Sequence, residues 1–361
     1  MRGEGYFRAL LNGERDGVAD RLLLAALMPA GWAYGLAMGL RARLYAAGLL
    51  PSHRLPRPVV SVGNLTMGGT GKTPATAWLA RYFLARGKRV AVLTRGYGSS
   101  AGREPAIVSD GERHFLSPAE AGDEPCLLAR TVPGLLVVVG RDRYRAGLLA
   151  LEQLAPDLFL LDDGFQHLRL ARDLNLLLLD SRRPFGSGRV FPAGLLREPM
   201  TAVRRSDLVL CTRWQSGLPL PDVPGRTVYR SAHLLETALP LGSGEPVPLA
   251  SLAGGRGLAF AGIADPEFFF AGLTGAGLSL VEGVPLPDHV PYGVERVAEL
   301  QQRAERAGAD FLITTEKDAV KLAPFAERLG RVYAARLDFR VLDEEPLTVA
   351  LEKVLLLPPR K

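Results

Sequence analysis

The sequence predicts an α/β fold: a mostly parallel sheet with helices on both faces, joined to a second, smaller α/β domain. Three observations carry that prediction. Apolar runs at Val59–Val62, Arg89–Thr94, Leu135–Val139, Leu158–Leu161, Leu174–Leu179 and Ser206–Arg213 are continuous, as in strands buried on both faces. Helical stretches separate them, the alternation that builds a parallel sheet. Over 361 residues, 47% are hydrophobic and 23% charged, enough apolar material for two cores and too much for a disordered chain.

Residues 1–50 form the first segment. An uncharged run of 19 residues, Leu22–Leu40, lies among eight arginines and four acids in residues 1–60. It reaches the length of a membrane span, but Pro29, Gly31, Gly35 and Gly39 interrupt it. A spanning helix, an interfacial helix with arginines on anionic head groups, and a helix packed on the first domain are the competing readings; the interfacial one ranks first. A cleavable leader is not expected. The arginines are scattered singly without interleaved aromatics, so no nucleic-acid surface is expected. Cys126 and Cys211 have no metal-type spacing and are read as buried, reduced thiols.

Residues 51–214 form the second segment. After the strand at Val59–Val62 comes GNLTMGGTGKTP and a helix opening near Lys72, which is the context a P-loop needs. Gly68, Gly69 and Gly71, with Thr70 among them, let backbone N–H groups crowd phosphate oxygens, and the helix N-terminus adds partial positive charge. Lys72 is placed to reach the β/γ-phosphates of ATP and Thr73 to hold Mg²⁺, while Pro74 fits the first helical turn. Position 66 is threonine where the strict motif has glycine, but Gly68 and Gly69 supply the permissive backbone. Lysine is scarce, six of 44 basic residues, so a lysine at the loop is a selective placement.

Tyr97, in the glycine loop after the second strand, either stacks on a base or sugar or caps the core. Ser117 and Glu120 form a capping box, and Asp123 and Glu124, before Pro125, fall at a helix start, where spacing alone explains them as charges complementing the dipole. Asp162 and Asp163 end an apolar strand beside the P-loop, as Mg²⁺-holding acids do. His167 is either a supporting group or an ordinary loop residue, and Arg189 and Arg197 are candidates for phosphate contact.

Residues 215–255 gain proline and glycine and lose periodicity, which marks a linker with short extended pieces such as Thr227–Ser231. Residues 256–361 return to the α/β pattern, and the last helix is expected to fold back on the first domain. Thr315 and Asp318 cap a helix there, while Asp288–His289, on a proline-flanked loop, suits proton handling or phosphate contact.

Taken together, SVGNLTMGGTGKTP, LTRGYG, GDEP, GRDR, LLDDGFQH, FPAGLLREP, GIADPEFF, PDHVPYG and TTEKDAVKL resemble, in order over residues 58–322, the tetraacyldisaccharide 4′-kinase family. The resemblance implies transfer of the ATP γ-phosphoryl to the 4′-hydroxyl of an acylated glucosamine disaccharide 1-phosphate. It also implies a two-domain P-loop architecture, peripheral attachment at the cytoplasmic face of the inner membrane, and an anionic membrane surface met through the N-terminal helix. A monomer is expected. By the same resemblance Asp123 deprotonates the acceptor, His289 supports it, and Asp162 and Asp163 organise Mg²⁺ with Thr73. Arg197 contacts phosphate, Glu198 positions it, and Glu124 and Tyr97 are counted with the nucleotide contacts. Catalysis on this reading needs the two domains to close. The alternative is a membrane-surface ATPase switch of the partition type, but such switches carry a lysine just before the double glycine, where this chain has Met67.

Overall fold

The structure, a computed structural model, describes residues 2–11, 13–96, 104–242 and 244–356. It opens with helices α1 (Arg2–Leu11) and α2 (Val18–Ala46). The nucleotide half follows: β1 (Val59–Asn64), α3 (Lys72–Leu84), β2 (Val90–Thr94), β3 (Ala106–Asp110), α4 (Pro118–Ala121), α5 (Asp123–Thr131), β4 (Leu136–Val139), α6 (Arg143–Leu154), β5 (Leu158–Leu161), β6 (Leu174–Asp180) and β7 (Leu208–Thr212). Then come β8 (Val228–Pro240), β9 (Val247–Pro248), β10 (Arg256–Ala261), α7 (Pro266–Gly275), β11 (Ser279–Pro285) and α8 (Val294–Ala307). The described chain closes with β12 (Phe311–Thr315), α9 (Glu316–Leu322), α10 (Ala326–Leu329), β13 (Val332–Val341) and α11 (Glu344–Leu355).

Among the described residues the strands form one 13-stranded sheet, ordered β11-β10-β12-β13-β8-β7-β6-β1-β5-β2-β4-β3, with β9 against β8. Pairing is parallel except for β3 on β4, β13 on β8 and β9 on β8. The central strands β1, β2, β4, β5 and β7 are buried along their whole length, which is why their sequences run apolar without alternation. On one face Leu79 and Phe83 of α3 and Leu128 of α5 pack with Val60, Val92 and Leu160. On the other, Ala146, Ala150 and Leu154 of α6 cover Val59, Ala91 and Leu161. In the C-terminal half α7 and α8 cover opposite faces, through Phe269 and Leu273 and through Val297 and Leu300.

One strand was not visible in the sequence pattern, and a second was visible only at its start, Thr227–Ser231. Ala106–Asp110 lies in a polar stretch, yet forms the antiparallel edge strand β3. The stretch expected as a linker carries the 13-residue β8. Its first residues pair with β7 from Val228 to Arg230, and the rest pairs with β13 from Ser231 to Pro240. Half-buried residues on both faces leave β8 without a clean alternation, and the prolines and glycines on either side dominate the local composition. The C-terminal helix α11 returns to the nucleotide half, where Leu347 and Leu351 are fully buried against the α3 side. The hydroxyl of Tyr82 donates to the Thr348 carbonyl at 3.4 Å. Cys126 and Cys211 are buried free thiols, and burial pushes both up, to about 11 and about 12.

Helix α2 is long and apolar enough to cross a membrane by length and composition. It leaves Leu22, Trp32, Leu36 and Leu40 exposed, while Gly31 and Gly35 face the body of the protein. A Cβ on Gly31 would meet the Val190 carbonyl at 3.1 Å and Ala193 Cβ at 3.2 Å, so glycine lets the helix lie against the loop that follows β6.

Candidate active site

The phosphate side of the site is built from three neighbouring loops. The P-loop leaves β1 at Asn64 and enters α3 at Lys72, turning through Gly68 and Gly71 at φ +108° and +81°. Its interior is pinned by side chains. The Asn64 amide donates to Thr70 Oγ1 at 2.7 Å, the Thr212 hydroxyl donates to the Thr70 carbonyl at 2.9 Å, and Lys72 Nζ donates to Asn64 Oδ1 at 3.4 Å. Gly71 has a neighbour that the sequence did not announce: a Cβ there would stand 2.6 Å from Cε1 of His233, on β8.

The DDGFQH turn after β5 lies directly on β1. Gly63 permits this, because a Cβ there would meet Phe165 N and Cβ at 2.7 Å. Gln166 Nε2 donates to the Asn64 carbonyl at 2.8 Å, tying the turn to the P-loop. The FPAGLLREP loop is stitched alongside by Arg197 N to Leu65 O and Met67 N to Leu195 O, both 2.7 Å. That pairing places the Arg197 guanidinium on Asp163, Nη1 reaching Oδ1 and Oδ2 at 2.8 and 2.9 Å, with Lys72 Nζ 3.7 Å from the same carboxylate.

The adjacent acids differ. Asp162 is buried and accepts from Thr76 Oγ1 at 3.0 Å. Burial, with the Glu124 and Asp163 charges, pushes it up to about 7. Asp163, in the left-handed region at φ +52°, is held below the usual carboxylate range: burial opposes the charge, but Lys72 and Arg197 outweigh it.

The opposite side gathers side chains far apart in sequence. Asp123 is the first residue of α5, buried, with Oδ2 3.1 Å from His289 Nδ1 and 3.3 Å from Lys321 Nζ. Burial works against its charge; the His289 hydrogen bond and the Lys321 cation more than offset that, and its pKa is lowered. His289 sits on the loop after β11 at φ +59°. Lys317 Nζ approaches His289 Nε2 at 3.1 Å and Asp288 Oδ1 at 3.2 Å, and lies 3.9 Å from Glu124. Thr315 caps α9, its hydroxyl accepting from Asp318 N at 3.1 Å, and the Asp318 carboxylate accepts from Gly262 N at 2.9 Å, anchoring the loop after β10 to α9.

Both sides line one cleft of about 2480 Å³. That exceeds the roughly 300–1,000 Å³ of a site for one small ligand, leaving room for two substrates. Gly68, Gly69, Thr70, Gly71, Lys72, Thr73, Glu124, Asp163, Arg197 and His289 line it, with Tyr34 and Met38 of α2 at its edge. Asp123 sits just behind Glu124 and His289.

The other candidate residues take different places. Glu198 does not line the cleft: its buried carboxylate is taken by Arg205, with two contacts of 2.8 Å, and the Arg205 guanidinium stacks over Phe165. Arg189 faces a separate groove against α2. His167 lines the cleft as a neutral group, since burial and the Arg143 charge push it down to about 4. Tyr97 lies outside the described residues. Sequence reasoning missed His233, Lys317 and Lys321. For the lysines a signal existed, because two of the chain's six lysines fall in TTEKDAVKL, where helix capping had seemed a sufficient account.

The family model described as LpxK, tetraacyldisaccharide-1-P 4′-kinase, matches residues 23–356. Tetraacyldisaccharide 4′-kinase of Geobacter sulfurreducens is 57% identical over 98% of this chain and 100% of its own length. The protein of that name from Pelobacter propionicus is 53% identical over 97% of this chain and 98% of its own. Among solved structures, the crystal structure of "apo" form LpxK from Aquifex aeolicus in complex with ATP superposes with a TM-score of 0.77 at 35% identity, covering 92% of this chain and 99% of that one. With a family model spanning nearly the whole P-loop and acceptor architecture, the chain belongs to the LpxK family of tetraacyldisaccharide-1-P 4′-kinases.

Proposed function

We propose that this protein transfers the γ-phosphoryl of ATP to the 4′-hydroxyl of an acylated glucosamine disaccharide 1-phosphate. The observation that carries this is the single cleft in which a P-loop with its cations faces a buried carboxylate–histidine pair. The backbone of Gly68–Gly71 and the Lys72 side chain hold the β- and γ-phosphates, and Arg197 neutralises charge on the transferring group. Thr73, Asp162 and Asp163 suit Mg²⁺: hydroxyl and carboxylate oxygens are its preferred donors, and the Asp162 carboxylate, pushed toward neutrality by burial, gains from a nearby cation. Bound there, the ion would neutralise phosphate charge; the protein's own groups do the positioning.

In the transfer step the acceptor oxygen bonds the γ-phosphorus, the bond to the ADP oxygen breaks, and the acceptor proton passes to Asp123. A carboxylate of lowered pKa is a weak base for a sugar hydroxyl, so it acts late, as the oxygen gains its bond to phosphorus. His289 orients that carboxylate from the far half of the chain. We take residues 51–214 and 256–361 as two domains whose closed arrangement holds these groups together, residues 215–255 joining them. A monomer is proposed as the active unit.

The apolar face of α2 is read as a peripheral attachment to the anionic cytoplasmic surface of the inner membrane, flanked by Arg41 and Arg43. A groove of about 450 Å³ between α2 and residues 188–201, with Arg43 and Arg189 at its margin, offers room for acyl chains beside that surface. The partition-type switch is set aside, since Met67, not a lysine, faces the cleft.

The test is transfer of labelled γ-phosphate from ATP to a detergent-solubilised acylated disaccharide 1-phosphate. Wild type should label the lipid, and Asp123→Asn should lose on the order of 10³-fold in kcat. Phosphate release without labelled lipid would refute the kinase assignment, and equal labelling by both would remove Asp123 as base.

A further inference from the structure

Two features of the cleft take no part in the transfer step: the GIADPEFF stretch, which opens α7, and Arg213, which follows β7. Strands β5, β1, β6 and β7 are parallel neighbours in that order, so the turns after them leave one edge of the sheet. The P-loop rises from β1. Asp163, with Lys72 and Arg197, flanks it from the β5 side. Arg213 flanks it from the β7 side, three strand spacings or roughly 14 Å along the sheet from β5. Lys72 and Arg197 mark the transferring end of a triphosphate laid in the cradle, so Arg213 stands at the end that stays on the nucleotide. We propose that Arg213 binds the phosphates that remain on ADP, through the Nε–Nη2 edge of its guanidinium, while Arg197 serves the phosphoryl that leaves. This inference rests on the reading of the P-loop as the ATP site.

The side chain is built for that task. Arg213 sits in the left-handed region at φ +56°, a conformation that costs a non-glycine residue energy and is retained where the surroundings enforce it. Here the Ser181 hydroxyl donates to the Arg213 carbonyl at 2.8 Å. Nη1 is committed to Asp180, and both side chains are only 13% exposed. Arg182 Nη2 pairs with Asp265 at 3.1 Å. The guanidinium carbons of Arg182 and Arg213 lie 4.1 and 4.9 Å from the Phe268 ring centre, so the start of α7 steadies the group. With Nη1 taken, the Nε–Nη2 edge of the planar group remains. Its Nε is buried without a hydrogen-bond partner, and its Nη2 lies 3.8 Å from where a Cβ on Gly69 would stand. An unsatisfied buried donor beside a phosphate loop is explained by an oxyanion partner, and the Nε–Nη2 pair is a fork that matches one. On the same flank His233 crowds Gly71 and also buries its Nε2 without a partner. Because Asp180 already balances its charge, Arg213 contributes direction more than net attraction, and a lysine would not reproduce that.

The test is calorimetric titration of the full chain with ADP and with a non-hydrolysable ATP analogue, which reads binding without turnover. Wild type should bind both. Arg213→Met should weaken ADP and the analogue alike by about 30-fold, the effect of losing charge-assisted hydrogen bonds to phosphate. In the transfer assay the loss should fall on KM for ATP, with kcat at saturating ATP lowered no more than about threefold. Arg197→Met should instead lower kcat by about 100-fold. Arg213→Lys keeps a cation beside Asp180 and guards against a folding defect; without the fork it should still bind ADP about tenfold more weakly than wild type. Unchanged ADP affinity in Arg213→Met would overturn the inference. So would weakening of the analogue alone, which would place Arg213 on the transferring phosphoryl, and wild-type affinity in Arg213→Lys, which would reduce the fork to a point charge. A wild type that binds neither nucleotide would remove the ATP reading itself, and the inference with it.

Discussion

On the phosphate wall of the cleft, Lys72, Asp163 and Arg197 are placed by backbone: a tight loop, a turn laid on β1, and a loop stitched to Leu65 and Met67 by two 2.7 Å hydrogen bonds. On the opposite wall, Asp123, His289, Lys317 and Lys321 come from α5, a loop and α9, and are held to one another by hydrogen bonds and an ion pair between their side chains. The first wall depends on which residues can fit, the second on which charges balance. Substitutions should therefore fail for steric reasons on one wall and for electrostatic reasons on the other.

The largest effect that would sharpen this contrast is expected at Gly71, where no charge is involved. Gly71→Ala would both strain a backbone at φ +81° and set a methyl 2.6 Å from His233. A loss of roughly 100-fold or more in kcat/KM for ATP is expected, since displacing the loop by about 1 Å suffices for that. Gly71→Ala combined with His233→Ala removes the clash but not the strain, so recovery should be partial. Full recovery would show that crowding alone makes the glycine necessary.

A smaller effect is expected at Glu198, which the motif places next to Arg197 but the structure turns away. Glu198→Gln should destabilise the fold by about 2–4 kcal/mol in denaturant titration, because Arg205 loses its buried partner. ATP affinity in the folded protein should stay within about twofold. A tenfold change in affinity would return Glu198 to the phosphate wall and break the division between the two walls.

The smallest effect is on stability against acid. Burial holds His167 and His233 at about 4 and about 3, below the ordinary value near 6.5. The unfolded chain therefore takes up protons between pH 6.5 and those values that the folded chain does not, and stability falls as pH drops through that window. Asp123 acts in the same direction but in a more acidic window: its lowered pKa adds stability above its unfolded value near 3.9, which is lost only below about pH 4. Between pH 6.5 and 5 the phosphate-wall histidines should dominate, and His233→Gln or His167→Gln should flatten the decline in denaturant midpoints. A decline of wild-type steepness in both variants would assign the acid sensitivity elsewhere.

The two walls were also unequally legible. Gly68 to Thr73 announced themselves because a phosphate cradle is a local object: strand, glycine turn and helix lie within one short segment. Asp162 and Asp163 were legible for the same reason, at the end of an apolar run. Asp123 was not, because a carboxylate at a helix start is adequately explained by the dipole, and only the family resemblance gave it a role. Lys317 and Lys321 were hidden behind a helix cap, since nothing in their spacing shows that β10–β13 bring α9 against α5. Of β8 only the start, Thr227–Ser231, was legible, because a strand that changes partners midway presents neither an alternating nor a continuous apolar face. What the sequence encodes locally can be read directly, whereas what it encodes through sheet order needs the sheet.

The return of α11 to the nucleotide half has a consequence for how the chain is made. Val341, Leu347 and Leu351 belong to the same buried cluster as Val60, Phe83 and Leu128. Synthesis delivers the P-loop early, but that cluster stays open on one side until residues more than 200 positions later have left the ribosome. The nascent nucleotide-binding half must wait, with apolar surface uncovered, for α11 to emerge. Its protection during that interval falls to chaperones or to speed, and emergence of α11, not of the P-loop, sets the moment at which this core can close.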